Sequence, residues 1–366
     1  MVQQQKMQGE YTFLPQEHIL FGAGSSARLA DEVKRLGGTR VVIITGHSLA
    51  TKTNVIQNIT RALSPFHVAI FHEIGQHAPK SGIDKALELV RSQKADLLVS
   101  VGGGSPIDAA KVVSYFLHQQ GGAFLPHIAI PTTLSAAEFA SHAGYTEEKT
   151  KTGVADPQLT PKSVILDAAL TLTTPEQLWL SSGIRALDHA VESLYAPGNH
   201  PINDPLCLSA IQRIFTYLPQ SKEHPDALDV RTELQIAAWM SMFGASNASF
   251  GLSHNLGRRI GATYDVPHGI TSCITLPTVM HSYATERAQA LARIAQALEL
   301  PARSSDPVQA AHQAADAVAN LIVSLGLPRH LHEVGIGVAD LHAIAVGTVG
   351  DNERIARIED LLKQML

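Results

Sequence analysis

At 366 residues, 45% of them hydrophobic and 17% charged, the chain has an ordinary globular composition, with room for two or three domains of roughly 150 residues. A formal net charge of −5 argues against a nucleic-acid partner, which needs a basic surface. Two cysteines, Cys207 and Cys273, exclude a disulfide framework, so a reducing cytoplasm is expected. No run of about 20 apolar residues predicts a membrane span, and the polar stretch Met1–Glu10 has no signal-peptide core.

Short apolar runs then alternate with amphipathic segments. Ser25–Leu36 has helical periodicity, and Arg40–Thr45 (RVVIIT) reads as a buried strand closed by Gly46. Asn54–Leu63 predicts a helix, His67–Phe71 a strand, Ile83–Gln93 a helix, and Asp96–Val101 a third strand followed at once by three glycines. Pro106–Leu117 is helical, and His127–Ile130 is a fourth strand ending at Pro131. This alternation predicts an α/β, Rossmann-like doubly wound parallel sheet with helices on both faces. From about Leu172 the texture changes. Pro175–Ala196, Pro205–Leu218, Val230–Gly244, Ala288–Leu298 and Ala310–Leu325 are helical, with few strand signals between them. The expectation is an α/β domain over residues 1–170 and an all-α domain over residues 171–366.

The glycine triplet belongs to Gly102-Gly103-Gly104-Ser105-Pro106-Ile107-Asp108-Ala109-Ala110-Lys111, which follows a strand and opens a helix. Glycine lets the backbone approach an anion, and a helix start offers unpaired N–H groups and a positive dipole end. Ser105 suits the N-cap and Pro106 the first helical position. A capped turn with no ligand would read the same way, and this is not the GxGxxG fingerprint. Two further segments concentrate titratable groups. In Gly183–Glu192, Arg185, Asp188, His189 and Glu192 share one helical face. In Gly251–Arg259, His254 and Arg258 do the same, and His268 follows in a loop fourteen residues beyond His254. Such a stripe is usually a solvated face.

Taken together, these motifs resemble the iron-containing alcohol dehydrogenase superfamily. GGGSPIDAAK is similar to the family's GGGSxxDxxK. The likeness continues through Ile130-Pro131-Thr132-Thr133, Ala136-Ala137-Glu138, Lys151, Asp156-Pro157, Val164-Ile165-Leu166-Asp167 and Pro267-His268-Gly269, spanning most of the chain. The resemblance implies that family's fold, a dinucleotide-binding domain followed by a helical catalytic domain, and a homodimer. It implies NADH or NADPH held at Gly102, Gly103, Gly104, Ser105 and Asp108, with Thr132, Thr133 and Ser135 lining the cleft and Lys151 at the nicotinamide ribose. In NAD-selective members the strand matching VVIIT ends in Asp, which holds the adenosine 2′-hydroxyl and repels a 2′-phosphate. Gly46 stands at that place, so use of both nucleotides is expected.

Metal-dependent members bind Fe²⁺ or Zn²⁺ through Asp-x-x-x-His on one helix and two histidines fourteen residues apart. This chain keeps His189, His254 and His268 but has Arg185 for the carboxylate, and Arg258 for a further histidine near the reacting carbon. Arginine keeps its proton and cannot replace an anionic ligand, so the resemblance implies metal-independence, with Asp188 as a carboxylate one turn away that could step in. It points to the maleylacetate reductase-like branch, whose members reduce a dicarboxylic enone and work without metal. Arg185 and Arg258, with Arg259, become candidates to receive a substrate carboxylate, and His254 or His268 to supply a proton at a pH near imidazole's own. SPIDAAK and TTLSAAEFASHAGYT depart from the usual segments of those reductases, which leaves the substrate open. Two other readings are an Fe- or Zn-dependent dehydrogenase of a small alcohol or aldehyde, and a lyase resembling dehydroquinate synthase, whose metal site and basic phosphate pocket have no matching residues here.

Overall fold

The computed structural model describes residues 10–148, 150–196, 201–244, 247, 251–301, 306–349 and 352–366. Its strands are β1 (His18–Phe21), β2 (Val41–Gly46), β3 (His67–Ile74), β4 (Leu97–Gly102), β5 (His127–Pro131), β6 (His142–Glu147), β7 (Thr150–Ala155) and β8 (Ser163–Leu166). Six of them form one parallel sheet in the order β1-β8-β5-β4-β2-β3, and β6 and β7 form a separate antiparallel hairpin. Val41–Ile44, Leu97–Val99 and Ile128–Ile130 are buried on both faces, which is why these strands read as continuous apolar runs.

Around this sheet lie α1 (Leu29–Arg35), α2 (His47–Lys52), α3 (Val55–Leu63), α4 (Lys80–Ser92), α5 (Gly104–Gln119) and α6 (Ala168–Thr171). Val41, Ile43 and Val99 face Val33, Ile56 and Ile59 on one side; Val42, Ile44 and Leu98 face Ile83, Leu87 and Val112 on the other. From β2 the chain steps outward to β3, then returns past β2 to β4 and β5. Such a reversal opens a crevice at the carboxyl ends of the two strands beside it. Gly46 ends one of them and Gly102 the other.

The rest is helical: α7 (Glu176–Tyr195), α8 (Asn203–Glu223), α9 (Leu228–Met242), α10 (Leu252–Tyr264), α11 (His268–Tyr283), α12 (Ala288–Ala297), α13 (Pro307–Leu325), α14 (Leu341–Thr348) and α15 (Asn352–Lys363). Its core runs into the α/β part without a break, since Leu134, Phe139 and Leu166 join the apolar cluster of Leu187, Leu234 and Ile274. Every residue of α7 from Trp179 to Tyr195 is buried, so its polar stripe is an interior one. His268, expected in a loop, is instead the first residue of α11, because Pro267 ends the preceding turn and allows a helix to start. Among the described residues no helix is long and apolar enough to cross a membrane.

Candidate active site

At the crevice, Gly102 adopts φ +139°, a conformation side chains rarely tolerate, and α5 begins at Gly104 with Gly103 as its extended cap residue. Ser105 and Pro106, expected at the cap and first position, therefore lie inside the first turn. The third glycine already takes helical angles, so the N–H groups without an intrahelical partner are those of Gly103, Gly104 and Ser105, Pro106 having none. The loop after β5 closes over them: the Thr132 N–H bonds the Gly102 carbonyl at 2.9 Å. A Cβ at Gly103 would meet Thr133 at 3.2 Å, and one at Gly104 would meet Ser135 at 3.3 Å. The glycines thus form a cradle that any side chain would fill.

Two charged groups of α5 brace this cradle. Lys111, fully buried, donates to the carbonyls of Ala137 and Ala140 at 2.6 Å each and of His142 at 3.2 Å, pinning the loop that carries Thr132–Ser135. Burial pushes its pKa down to about 8. Asp108, expected at the cofactor, instead accepts the Gly144 N–H at 3.2 Å and so ties α5 to the hairpin; burial raises its pKa. Lys151 of β7 passes directly over Gly144 of β6, where a Cβ would stand 2.6 Å from its chain, and its Nζ reaches the His77 carbonyl at 3.4 Å.

Across the cleft, Arg185 and Asp188 on α7 form a buried ion pair at 3.1 Å, both side chains under 10% exposed. Arg185 Nη1 also donates to Ser272 at 3.0 Å, and Nη2 lies 3.2 Å from His254 Nε2 and closer still to its Nδ1. The Asp188 carboxylate accepts the hydroxyls of Ser272 at 2.6 Å and Ser253 at 3.1 Å. These bonds all fall on Asp188 Oδ2; its Oδ1 is buried with no hydrogen-bond partner among the described residues. One turn on, Glu192 accepts the Gly251 and Ser253 N–H groups at 2.9 and 2.8 Å and caps α10, the helix that presents His254 and Arg258. The sequence stripe held this acid without revealing its job.

His189 and His254 stand with ring centroids 5.8 Å apart, and His268 packs edge-on against His77 at 4.9 Å. Burial first, and the Arg185 charge second, hold the pKa values of His189, His254 and His268 well below the usual imidazole value. These shifts run against the expectation of imidazoles titrating near working pH. Arg258 is exposed, forms no ion pair among the described residues, and carries its charge close to Lys151, Asp108, His254 and His268. Arg259, expected beside it, packs its guanidinium on Gly347 of α14 instead, because its position on α10 faces away from the stripe. The structure thus brings Gly46, the glycine cradle, the threonine loop, Lys151 and Arg258 to one cleft with the three histidines and Arg185.

Comparison with known proteins agrees with this geometry. Residues 15–168 match the iron-containing alcohol dehydrogenase family and residues 179–364 its Fe-containing alcohol dehydrogenase C-terminal part. A maleylacetate reductase of Sphingobium indicum is 31% identical, over 95% of this chain and 94% of its own. One from Pseudomonas sp. strain P51 is 33% identical over 88% and 86%. The crystal structure of maleylacetate reductase from Agrobacterium tumefaciens superposes with a TM-score of 0.86 at 27% identity, covering 98% of both chains. This chain belongs to the iron-containing alcohol dehydrogenase family, on its maleylacetate reductase-like branch, and is an oxidoreductase.

Proposed function

We propose that the chain reduces a carboxylated oxo or enoyl compound with NADH or NADPH, in the manner of maleylacetate reductases, and does so without a divalent metal. Arg185 is the observation that carries this reading. Its guanidinium sits among His189, His254 and His268 and cannot shed its proton. Two unit charges about 4 Å apart repel by about 4 kcal/mol at an effective dielectric of 20, and a doubly charged ion by roughly twice that. The guanidinium of Arg185 donates to the His254 ring, whose neutral form has a single nitrogen lone pair. Among the described residues no three His, Cys, Asp or Glu side chains group as metal ligands. The donor set does not fit a divalent cation.

A dinucleotide does fit. Gly102, Gly103, Gly104 and Ser105 would hold its pyrophosphate through the open N–H groups of α5, while Thr132, Thr133, Ser135 and Lys151 would line the nicotinamide side. Gly46, beside Gly102 at the crevice, leaves no carboxylate to reject a 2′-phosphate. When bound, the dinucleotide supplies the hydride. Arg258, exposed and unpaired, takes a substrate carboxylate, with Arg185 adding its field from below, since its own donors are engaged. Burial is the larger cause of the low pKa values of His254 and His268 and the Arg185 charge the second. A bound carboxylate offsets that charge, raising these pKa values so that one ring takes up a proton and passes it to the reduced product.

The test is a steady-state panel of oxo and enoyl acids against neutral aldehydes, with both nucleotides, beside metal analysis and EDTA treatment. Acids turned over by metal-free enzyme are expected; stoichiometric iron or zinc with activity lost to EDTA would refute the reading. The three retained histidines favour one other candidate, a metal-dependent dehydrogenase of a small alcohol, which that second result would select. Two buried thiols, Cys207 and Cys273, with no disulfide between them fit a reducing compartment. We expect a homodimer, which sedimentation would check.

A further inference from the structure

Between β3 and α4, within the α/β part, the strap Gly75-Gln76-His77-Ala78-Pro79 touches Asp265 of the helical part. His77 and Ala78 hold φ at +58° and +48°, and Asp265, which faces them beyond α10, holds +56°. Non-glycine residues in this region are strained and persist only where surrounding contacts over-determine them. Those contacts lie on both sides. Toward the hairpin, the His77 carbonyl accepts Thr146 Oγ1 at 3.1 Å and Lys151 Nζ at 3.4 Å, and the Ala78 carbonyl accepts the Thr146 N–H at 3.2 Å. Toward the helices, Gln76 Nε2 donates to the Asp265 carbonyl at 3.3 Å, and His77 Nε2 lies 3.6 Å from the Asp265 carboxylate.

The side chain of His77, 8% exposed, sets its ring on that of His268 at 4.9 Å and 73°. On another side, His268 Nδ1 lies 3.1 Å from where a Cβ of Gly261 would be, so only glycine lets the ring sit this close to α10. That Nδ1 is buried and has no hydrogen-bond partner among the described residues. A histidine is normally oriented by a hydrogen bond to the ring nitrogen away from its chemistry. Here packing must do it, and His77 is the aromatic group that supplies it.

We infer that His77 is a positioning residue of the catalytic centre, holding the His268 ring in its working orientation from the opposite side of the cleft. The inference rests on the reading of His268 as a proton-transfer group. The strap has two separable jobs, since its backbone carbonyl holds Lys151 while its side chain holds His268. A change confined to the side chain should therefore slow turnover without loosening the nucleotide.

His77→Asn removes the ring but keeps a residue that tolerates the left-handed backbone. In the full-length enzyme it should lower kcat roughly ten- to a hundredfold, the scale of a slight misplacement of a reacting group, with KM for NADH within about twofold of wild type. His77→Phe restores an aromatic edge against His268 and should return kcat to within about threefold of wild type, its backbone strain being read separately from the melting curve. An unchanged kcat in His77→Asn would overturn the inference. So would a folded His77→Phe as slow as His77→Asn, or a rise in KM for NADH matching the fall in kcat. The variants are assayed on whichever carbonyl compound the wild type reduces best. A failure of the carboxylate reading then appears in the wild-type panel, and a failure of His77 appears only in the variant ratio.

Discussion

Arg185→Ala isolates the group on which the metal-free reading depends. In the wild type its guanidinium faces Asp188, which is 0% exposed and, among the described residues, is otherwise bonded by the hydroxyls of Ser253 and Ser272. Breaking a buried pair by removing one partner costs about 3–5 kcal/mol. For a helical part of about 200 residues, each kcal/mol moves the melting midpoint by roughly 2–4 °C, so Arg185→Ala should melt roughly 10 °C below wild type. Removing the charge also removes the second-largest cause holding His189, His254 and His268 low, so their pKa values should rise and the acid side of the activity profile should shift to higher pH. Arg185→Asp goes further, placing a carboxylate beside the three histidines. Zinc at a hundred times its dissociation constant should then stabilise this variant by about 2.7 kcal/mol while leaving the wild type unmoved. Differential scanning fluorimetry with and without zinc reads both effects. A wild type that gains as much from zinc as Arg185→Asp does, or an Arg185→Ala variant melting within 2 °C (about 0.5–1 kcal/mol) of wild type, would refute the reasoning.

Three further outcomes follow from the same cleft. NADH and NADPH should support turnover within about tenfold, or about 1.4 kcal/mol, and Gly46→Asp should select strongly for NADH; a wild type rejecting NADPH by roughly a thousandfold would place the discriminating residue elsewhere. Arg258→Ala should raise KM for an acidic substrate by about 2 kcal/mol or more, roughly thirtyfold, and leave a neutral aldehyde unaffected. Acid should also weaken the fold. Burial lowers the pKa of His127 to about 3 and those of His189 and His254 in the same direction, so the folded state resists protons that the unfolded chain accepts below about pH 6.5. That stability is present above pH 6.5 and is lost as pH falls, by about 2 kcal/mol from His127 alone at pH 5, which urea melts at pH 7 and pH 5 would measure.

What could be read from the sequence was whatever burial writes into a periodic pattern. β2, β4 and β5 are interior on both faces and appear as apolar runs, and α7 carries its interior polar residues at helical spacing. β1 and β8 were not picked out; β1 lies at the edge of the sheet and is placed by its pairing with β8, which itself pairs with β5. α10 and α11 were obscured by Gly257, Gly261, Gly269 and Pro277, residues that weaken a helical signal. The structure shows what the first two do: a Cβ at Gly257 would meet Thr271 at 2.7 Å, and Gly261 makes room for the His268 ring. The individual site residues could be found by spacing. Their commitments could not, because the contacts of Arg185 with Ser272 and His254, the turn of Arg259 toward Gly347 and the strain at His77 are properties of packing between segments distant in sequence.

The distribution of charge argues for an anionic substrate independently of any single residue. The chain as a whole carries a formal charge of −5, yet the cleft gathers Arg185, Arg258 and Lys151, and burial with the Arg185 charge holds the pKa values of its histidines low. Only Arg185 among these three cations has a carboxylate partner among the described residues. Walls of low dielectric concentrate such a field, which raises the local concentration and capture rate of an anion while giving a neutral alcohol nothing. A divalent ion placed among the same histidines would add to this positive field and be repelled by it. A carboxylate instead relaxes it, and by relaxing it lets an imidazole take the proton that reduction must later deliver. On the proposed reading, substrate class, proton supply and metal-independence all trace to the cations of this cleft, and Arg185→Ala tests the three together.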